Sequence, residues 1–173
     1  HPGRERAVSR PSWTLGRSHP WNASTRIGSS FAPSPKCSSR SAVTDSLTGI
    51  LNRRGLEEQL ERELALAQER REPLSLLVID CDDFKEINDR AGHEFGDTLL
   101  HEIGRVLVRA LPVGAEAARL GGDEFVVMLP GADTELAAAL GSSLRRVLAD
   151  GLSDAGFPLR VSAGISTYPF DGA

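Results

Sequence analysis

Residues 117–129 read AARLGGDEFVVML, and this stretch decides the fold. Two short apolar runs, 117–120 and 123–129, flank a pair of glycines. A glycine pair between apolar runs is typical of a two-residue hairpin turn, because such turns need backbone angles that residues with a side chain rarely adopt. The stretch therefore predicts a β-hairpin whose second strand starts with Asp123 and Glu124.

Upstream of this hairpin the apolar residues change their period. NRRGLEEQLERELALAQERRE (52–72) predicts an amphipathic helix that ends before Pro73, because its leucines recur at three- and four-residue steps. LSLLVID (74–80) is an unbroken apolar run, typical of a strand covered on both faces. CDDFKEINDRAGHEFGD (81–97) is expected to be a loop that leads into a second helix with its apolar stripe at residues 99–107.

Downstream, a third helix is predicted over residues 134–149, with Asp133 as its N-terminal cap, and LRVSAGISTY (159–168) predicts a last strand. The order α-β-α-β-β-α-β contains a β-α-β-β-α-β core. That core predicts an α/β (α+β) sandwich of ferredoxin-like type, with a mainly antiparallel sheet and helices packed on one face.

A basic tail precedes this domain. Residues 1–43 hold seven Arg or Lys against one acidic residue and are rich in Ser and Pro, whereas residues 44–173 hold 13 basic and 23 acidic residues. The tail composition predicts disorder, because it cannot bury enough apolar surface to offset its ordering entropy. Nucleic-acid binding by the tail is a remote alternative, and we expect no nucleic-acid partner.

Several function classes are disfavoured by what the chain lacks. It contains no run of 18 apolar residues and no apolar block at its amino terminus, so we expect no membrane segment and no secretory signal. Cys37 and Cys81 have neither metal-ligand nor disulfide-framework spacing, which favours a reducing, cytoplasmic location. His93 and His101 are interpreted as structural or solvent-facing.

The candidate chemistry consists of two acidic groups. Asp80, Asp82 and Asp83 end the first predicted strand, and Asp123 and Glu124 follow the glycine pair. If the two strands pair, these carboxylates become neighbours and form a hard oxygen site for Mg²⁺ or Mn²⁺, as phosphoryl transfer requires. Ordinary solvated turns are the alternative interpretation of both groups.

Lys85 is the sole lysine of residues 44–173 and lies beside the first acidic group. A compact ammonium suits a phosphate oxygen, although a surface lysine without function has similar weight. The segment 84–96 is either a loop whose glycines only serve turns or a place where backbone N–H groups meet phosphate. Spacing alone leaves both interpretations open.

Four motifs in order resemble those of the GGDEF diguanylate cyclases: TDSLTGILNRRGL (44–56), IDCDDFKEINDRAGHEFGDTLL (79–100), RLGGDEFVVMLP (119–130) and VSAGIS (161–166). The resemblance covers Asp45 to about Pro169. It implies a nucleotide-cyclase, palm-type fold that condenses two GTP into cyclic di-GMP and releases two pyrophosphates, for bacterial second-messenger signalling. It also implies a homodimer in which each subunit holds one GTP.

The resemblance also implies roles for individual residues. Asp80, Asp123 and Glu124 match metal-binding positions, together with the backbone carbonyl of Cys81. Asp123 and Glu124 are the implied catalytic residues, with Asp123 helping to activate the ribose 3′-hydroxyl. The other implied contacts are to guanine, from Asn88 and Asp97, and to phosphate or the turn, from Phe84, Lys85, Gly121 and Gly122.

Two departures from the family pattern affect the expected function. Pro112, Val113, Gly114 and Ala115 occupy the positions of an R-x-x-D product-inhibition motif, so we expect no product-inhibition site. The family continues past the last strand into a helix and a strand that carry phosphate-binding Lys and Arg, and we expect residues 44–173 to lack both. The alternative function is therefore a GTP-binding regulatory or scaffold module without turnover.

Overall fold

The computed structural model describes residues 43–154 and 159–169. The predicted disordered tail lies outside the described residues, except for Val43. Within the described ranges, no helix has the length and apolar character needed to cross a bilayer. The elements are, in chain order, β1 (Leu51–Asn52), α1 (Arg53–Arg70), β2 (Leu74–Cys81), α2 (Phe84–Ala91), α3 (His93–Ala110), β3 (Glu116–Gly121), β4 (Glu124–Pro130), α4 (Thr134–Asp154) and β5 (Val161–Tyr168).

The five strands form one sheet in the order β1-β3-β4-β2-β5. Strand β4 is the middle strand, and β2 lies between β4 and β5 and is antiparallel to both. Strands β3 and β4 are antiparallel as well, and only the two-residue β1 pairs in parallel, with β3. The predicted α/β fold with a mainly antiparallel sheet around a β-α-β-β-α-β core is confirmed.

Helices cover both faces of the sheet, and the expectation of one covered face is wrong. Ile79 and Phe125 belong to a core that α3 and α4 build on one face. Met128 belongs to a second core on the other face, where Leu56 of α1 packs. Side chains alternate between the faces of a strand, so the unbroken apolar runs of β2 and β4 supply both cores. The apolar stripe of α1 is buried against the second core.

Most of the expected loop 81–97 is helical. Helix α2 is bounded by two residues in the left-handed region, Asp83 at φ 58° and Gly92 at φ 87°, and α3 starts at the next residue. Phe84 and Ile87, three positions apart, are half-buried against the core and hold α2 in place. Two large apolar residues in eight are too weak a periodic signal, so the sequence alone suggested a loop.

The hairpin turn is shifted by one residue from its expected position. Gly121 pairs with Glu124, and a register irregularity separates Arg119 from Gly121. The turn is therefore formed by Gly122 and Asp123, and Asp123 does not start the second strand as predicted. A β-bulge inserts one unpaired residue into a strand, which accounts for the shift.

Helix α4 is longer than the predicted span 134–149 and continues to Asp154. Its apolar stripe extends to Leu152, which is buried in the core. At its other end, the Asp133 carboxylate accepts a hydrogen bond from the backbone N–H of Leu136 at 2.8 Å. The predicted N-terminal cap is thus confirmed.

Candidate active site

The two acidic groups meet at one end of the sheet. Asp80 on β2 lies directly opposite Glu124 on β4, and both side chains are exposed. Asp123, the residue before Glu124, lies in the turn and is half-buried. Directly opposed residues on neighbouring strands lie on the same face, roughly 5 Å apart at Cβ. The sheet therefore brings the carboxylates together as the strand pairing predicted, and we call Asp80, Asp123 and Glu124 the acidic edge.

The pKa of Asp80 is raised above its ordinary value. Partial burial is the largest cause, and the charges of Asp123, Glu124 and Asp82 add to it. The carboxylates therefore repel one another, and a cation between them would relieve that repulsion.

Among the described residues, no three His, Cys, Asp or Glu side chains stand close enough together to hold a metal ion unaided. Mg²⁺ is usually bound through one or two carboxylates together with substrate phosphates and water. Asp80 and its neighbours fit that mode, in which the ion arrives with a nucleotide. They do not fit a closed metal site built from protein ligands alone.

The Cys81 thiol takes no part in this acidic edge. Its side chain is buried on the α3–α4 face, and burial, followed by the nearby carboxylates, raises its pKa to about 12. A thiol with such a pKa stays protonated at neutral pH and is a poor metal ligand. Any metal contact of Cys81 is left to its backbone carbonyl.

The segment after β2 is fastened to β5. The backbone N–H of Asp82 donates to the carbonyl of Arg160 at 3.0 Å, and the hydroxyl of Ser162 donates to the Asp82 carboxylate at 2.7 Å. Asp83 adopts the left-handed conformation, φ 58°, which a residue with a side chain rarely takes. Strained backbone of this kind clusters at functional sites. Asp82 belongs to the first acidic group, but its bond to Ser162 was not predicted.

Arg119 supports the hairpin turn through hydrogen bonds. Its Nε donates to the carbonyl of Gly122 at 2.8 Å, and its Nη1 donates to the two carboxylate oxygens of Asp45 at 3.2 and 3.4 Å. The same carboxylate accepts bonds from the N–H and the hydroxyl of Thr48 at 2.9 and 2.7 Å. We call Asp45, Arg119 and Gly122 the turn relay, since these bonds orient the residue that precedes Asp123.

Sequence reasoning missed the turn relay. The spacing of Asp45 and Thr48 is a recognisable signal for a carboxylate that binds a backbone N–H three positions later. The bond between Asp45 and Arg119 spans 74 residues, and no local pattern reveals it.

The turn that contains Asp45 is also packed onto α3. His101 Nδ1 lies 3.0 Å from the carbonyl of Leu47, which agrees with the structural role inferred for this histidine. A Cβ added to Gly104 would lie 3.0 Å from the Cβ of Thr48, so this glycine permits the close approach. The turn relay therefore connects the hairpin to α3 through the turn that contains Asp45.

The two residues predicted to bind guanine are brought near each other by the packing of α2 on α3. Asn88 is half-buried and lies against Gly96, where an added Cβ would stand 2.0 Å from its Oδ1. Asp97, the residue after Gly96, is exposed. One interpretation held that Gly96 only serves a turn, but Gly96 lies within α3. Its lack of a side chain leaves the space that the Asn88 side chain occupies.

The remaining predicted contacts surround the same edge. Phe84 packs its ring against the core at the start of α2, and Lys85 is exposed without an ion pair to any described residue. Gly121 and Gly122 have φ angles of 149° and 54°, and an added Cβ at either would meet nothing within 4 Å. Their backbone conformation requires glycine, while the space above them is open.

A sequence model of one family, described as "Diguanylate cyclase, GGDEF domain", matches residues 42–173. The chain belongs to the GGDEF family. This confirms the resemblance inferred from the four motifs, and the match includes the acidic edge, the turn relay and the α2–α3 pair described above.

Curated relatives show the same affiliation. The chain is 42% identical over 135 residues to an uncharacterized signaling protein of Caulobacter vibrioides, which covers 76% of this chain and 17% of that protein. It is 41% identical over 93 residues to the diguanylate cyclase DgcS of Shewanella oneidensis, covering 54% of this chain and 31% of that protein. The GGDEF chain thus spans less than a third of either relative.

Solved structures share the fold. A sensory box/GGDEF family protein from Caulobacter crescentus superposes with a TM-score of 0.68 at 41% identity, covering 76% of this chain and 86% of that one. The GGDEF domain of DgcB from Caulobacter crescentus, in complex with c-di-GMP, superposes with a TM-score of 0.66 at 29% identity, covering 75% and 80%. The GGDEF fold is therefore established over most of the chain.

Proposed function

We propose that this GGDEF domain is a diguanylate cyclase, which condenses two GTP into cyclic di-GMP and releases two pyrophosphates. The observation that supports this most directly is the placement of Asp80 opposite Glu124, with Asp123 next to Glu124 in the turn of an unsubstituted Gly-Gly-Asp-Glu-Phe sequence. Three carboxylates at one open edge suit a metal-bound triphosphate. The curated relatives named as diguanylate cyclases support the same activity.

This proposal assigns a role to each predicted site residue. Asp80, Asp123, Glu124 and the carbonyl of Cys81 would hold Mg²⁺ or Mn²⁺, which supplies charge neutralisation for the triphosphate and lowers the pKa of an attacking hydroxyl. Asp123, oriented by the turn relay, faces the ribose 3′-hydroxyl and receives its proton. Asn88 and Asp97 recognise guanine. Lys85 and the backbone at Phe84 bind phosphate, and Gly121 and Gly122 leave room for the nucleotide.

The reaction requires two copies of the domain. Each 3′-hydroxyl attacks the α-phosphate of the other GTP, so two P–O bonds form, two break, and two pyrophosphates leave. One acidic edge holds one GTP, and we therefore propose a homodimer with two edges facing each other. The substrate and the reduced thiol of Cys81 suit a cytoplasmic reaction.

The direct test is to incubate the chain at high concentration with GTP and Mg²⁺ and to assay cyclic di-GMP and pyrophosphate. We expect both products in a one-to-two ratio, and neither with an Asp123→Ala, Glu124→Ala variant that still folds. The alternative is a GTP-binding module without turnover. Metal-dependent GTP binding without either product would select that alternative and refute the cyclase.

Gly96→Ala is expected to weaken GTP recognition without unfolding the domain. The new methyl group would stand 2.0 Å from Asn88 Oδ1, and the amide, being the end of a flexible side chain, would rotate away from the guanine position. Loss of a designed base contact should raise KM for GTP by roughly 10- to 100-fold. The matched control is Gly164→Ala, where an added Cβ meets nothing within 4 Å. Equal kinetics of the two variants would contradict the seating role of Gly96.

Cyclic di-GMP is not expected to inhibit this domain through the position of the R-x-x-D motif. Pro112, Val113, Gly114 and Ala115 carry no charge, and they line a groove of about 400 Å³ with other mainly apolar residues. Rates should therefore be the same with and without micromolar cyclic di-GMP, whereas a Pro112→Arg, Ala115→Asp variant should acquire inhibition. Inhibition of the natural sequence that a change at Pro112 removes would contradict this expectation.

A further inference from the structure

A second pocket lies at the β5 edge of the sheet. It has a volume of about 410 Å³, and its lining includes Arg145 and Arg146 of α4 and Arg160, the residue before β5. Val161, which also lines it, belongs to the core beneath α4. The pocket therefore opens on the sheet face opposite to the carboxylates of the candidate active site.

The three arginines are the basic side chains that line this pocket. None of them has an ion-pair partner among the described residues, whereas Arg54, Arg90 and Arg105 each pair with a glutamate on their own helix. One carboxylate lines the pocket, that of Asp82, and it already accepts a hydrogen bond from Ser162. This positive concentration stands out in a domain where acidic residues outnumber basic ones by 23 to 13.

The chemistry of the pocket selects one class of ligand. Guanidinium groups present paired N–H donors that match phosphate oxygens, and three of them converge on one concavity. The volume lies within the range of about 300–1,000 Å³ typical of small-molecule sites and is too small for a folded protein segment. We propose that Arg145, Arg146 and Arg160 form a binding site for an oligophosphate of the pyrophosphate class, separate from the acidic edge.

One backbone hydrogen bond joins the site to the segment that follows Asp80. The carbonyl of Arg160 accepts from the N–H of Asp82 at 3.0 Å, and Asp82 stands two residues after Asp80. A ligand seated on Arg160 therefore acts on the segment that carries the Asp80 carboxylate. The choice of pyrophosphate rests on the proposed function, which releases it, and the site would let this product influence the rate of its own formation.

The test is isothermal titration with inorganic pyrophosphate in EDTA, which removes metal-dependent binding at the acidic edge. The natural chain should bind, and Arg145→Gln, Arg146→Gln, Arg160→Gln should weaken binding by at least about 10-fold. The matched control, Arg53→Gln, Arg62→Gln, Arg109→Gln, removes the same charge from exposed positions outside the pocket and should change affinity less than about 2-fold. No binding by the natural chain, or equal losses in both triple variants, would overturn the proposal.

Two further arms separate the source of the phosphate and the two proposals. If pyrophosphate binds more tightly than GTP, the ligand of the site is the free product. If the two bind equally, the site recognises the phosphate chain of a nucleotide. Both results support the site. The Asp123→Ala, Glu124→Ala variant should bind pyrophosphate in EDTA like the natural chain. Pyrophosphate binding in EDTA can therefore be observed even if the cyclase assay fails. Weaker pyrophosphate binding by the Asp123→Ala, Glu124→Ala variant would show that the site is not separate from the acidic edge.

Discussion

Asp80→Asn is expected to lower the rate of cyclic di-GMP formation by roughly 100- to 1,000-fold, since metal stabilisation of transition-state charge contributes several kcal/mol. The amide keeps the shape of the side chain but removes the charge that faces Glu124 and Asp123. Initial rates at saturating GTP and Mg²⁺ provide the measurement. The control is Asp89→Asn, the same change at an exposed position of α2. A rate within about 3-fold of the control would contradict the metal role of Asp80.

The same variant is expected to be more stable than the natural chain when no metal is present. Folding raises the pKa of Asp80 through burial and the neighbouring carboxylates. Its contribution to stability is thus fully present below the unfolded pKa and is lost as pH rises through the folded value. At pH 7 in EDTA, Asp80→Asn should raise Tm by about 1–3 °C, and the difference should vanish below about pH 4. A lower Tm than the natural chain at pH 7 would contradict the mutual repulsion.

The second large effect is expected at the turn relay. Arg119→Lys keeps the positive charge but lacks the planar fork that reaches the Gly122 carbonyl and the Asp45 carboxylate together. Asp123 then loses its fixed orientation, so kcat should fall by roughly 10- to 100-fold, with KM for GTP changed far less. The control is Arg105→Lys, which alters an exposed arginine that pairs with Glu102. Equal changes in kcat and KM would indicate general loss of structure and contradict a positioning role.

Asp45 provides an independent test of the relay. Burial alone would raise its pKa, but hydrogen bonds from Thr48 and Arg119 outweigh burial and lower it. The resulting stabilisation is present above the unfolded pKa and is lost as pH falls through the folded value. Asp45→Asn should therefore cost about 1–3 kcal/mol at pH 7, and less in acid, as measured by urea unfolding. A cost independent of pH would show that the Asp45 charge does not carry the stabilisation.

The candidate site was predictable where strand pairing alone determines it. One apolar run that ends in carboxylates and another that begins with them implied neighbouring acids, and Asp80 does face Glu124. Asp123 was predicted to start the second strand, but it lies in the turn one residue earlier. The bulge after Arg119 causes this shift, and it depends on how the whole strand packs. Helix α2 was missed because only Phe84 and Ile87 give it an apolar side.

By itself, the sequence determined the β-α-β-β-α-β order of the core, its mainly antiparallel sheet and the family, since apolar periodicity and four local motifs are properties of neighbouring residues. Only the tertiary structure decided which residues support the turn and which glycine seats Asn88. Arg119 meets Asp45 across 74 residues, and Gly96 meets Asn88 between two helices. Such contacts depend on how separate elements dock, and side-chain docking leaves no periodic signal along the chain.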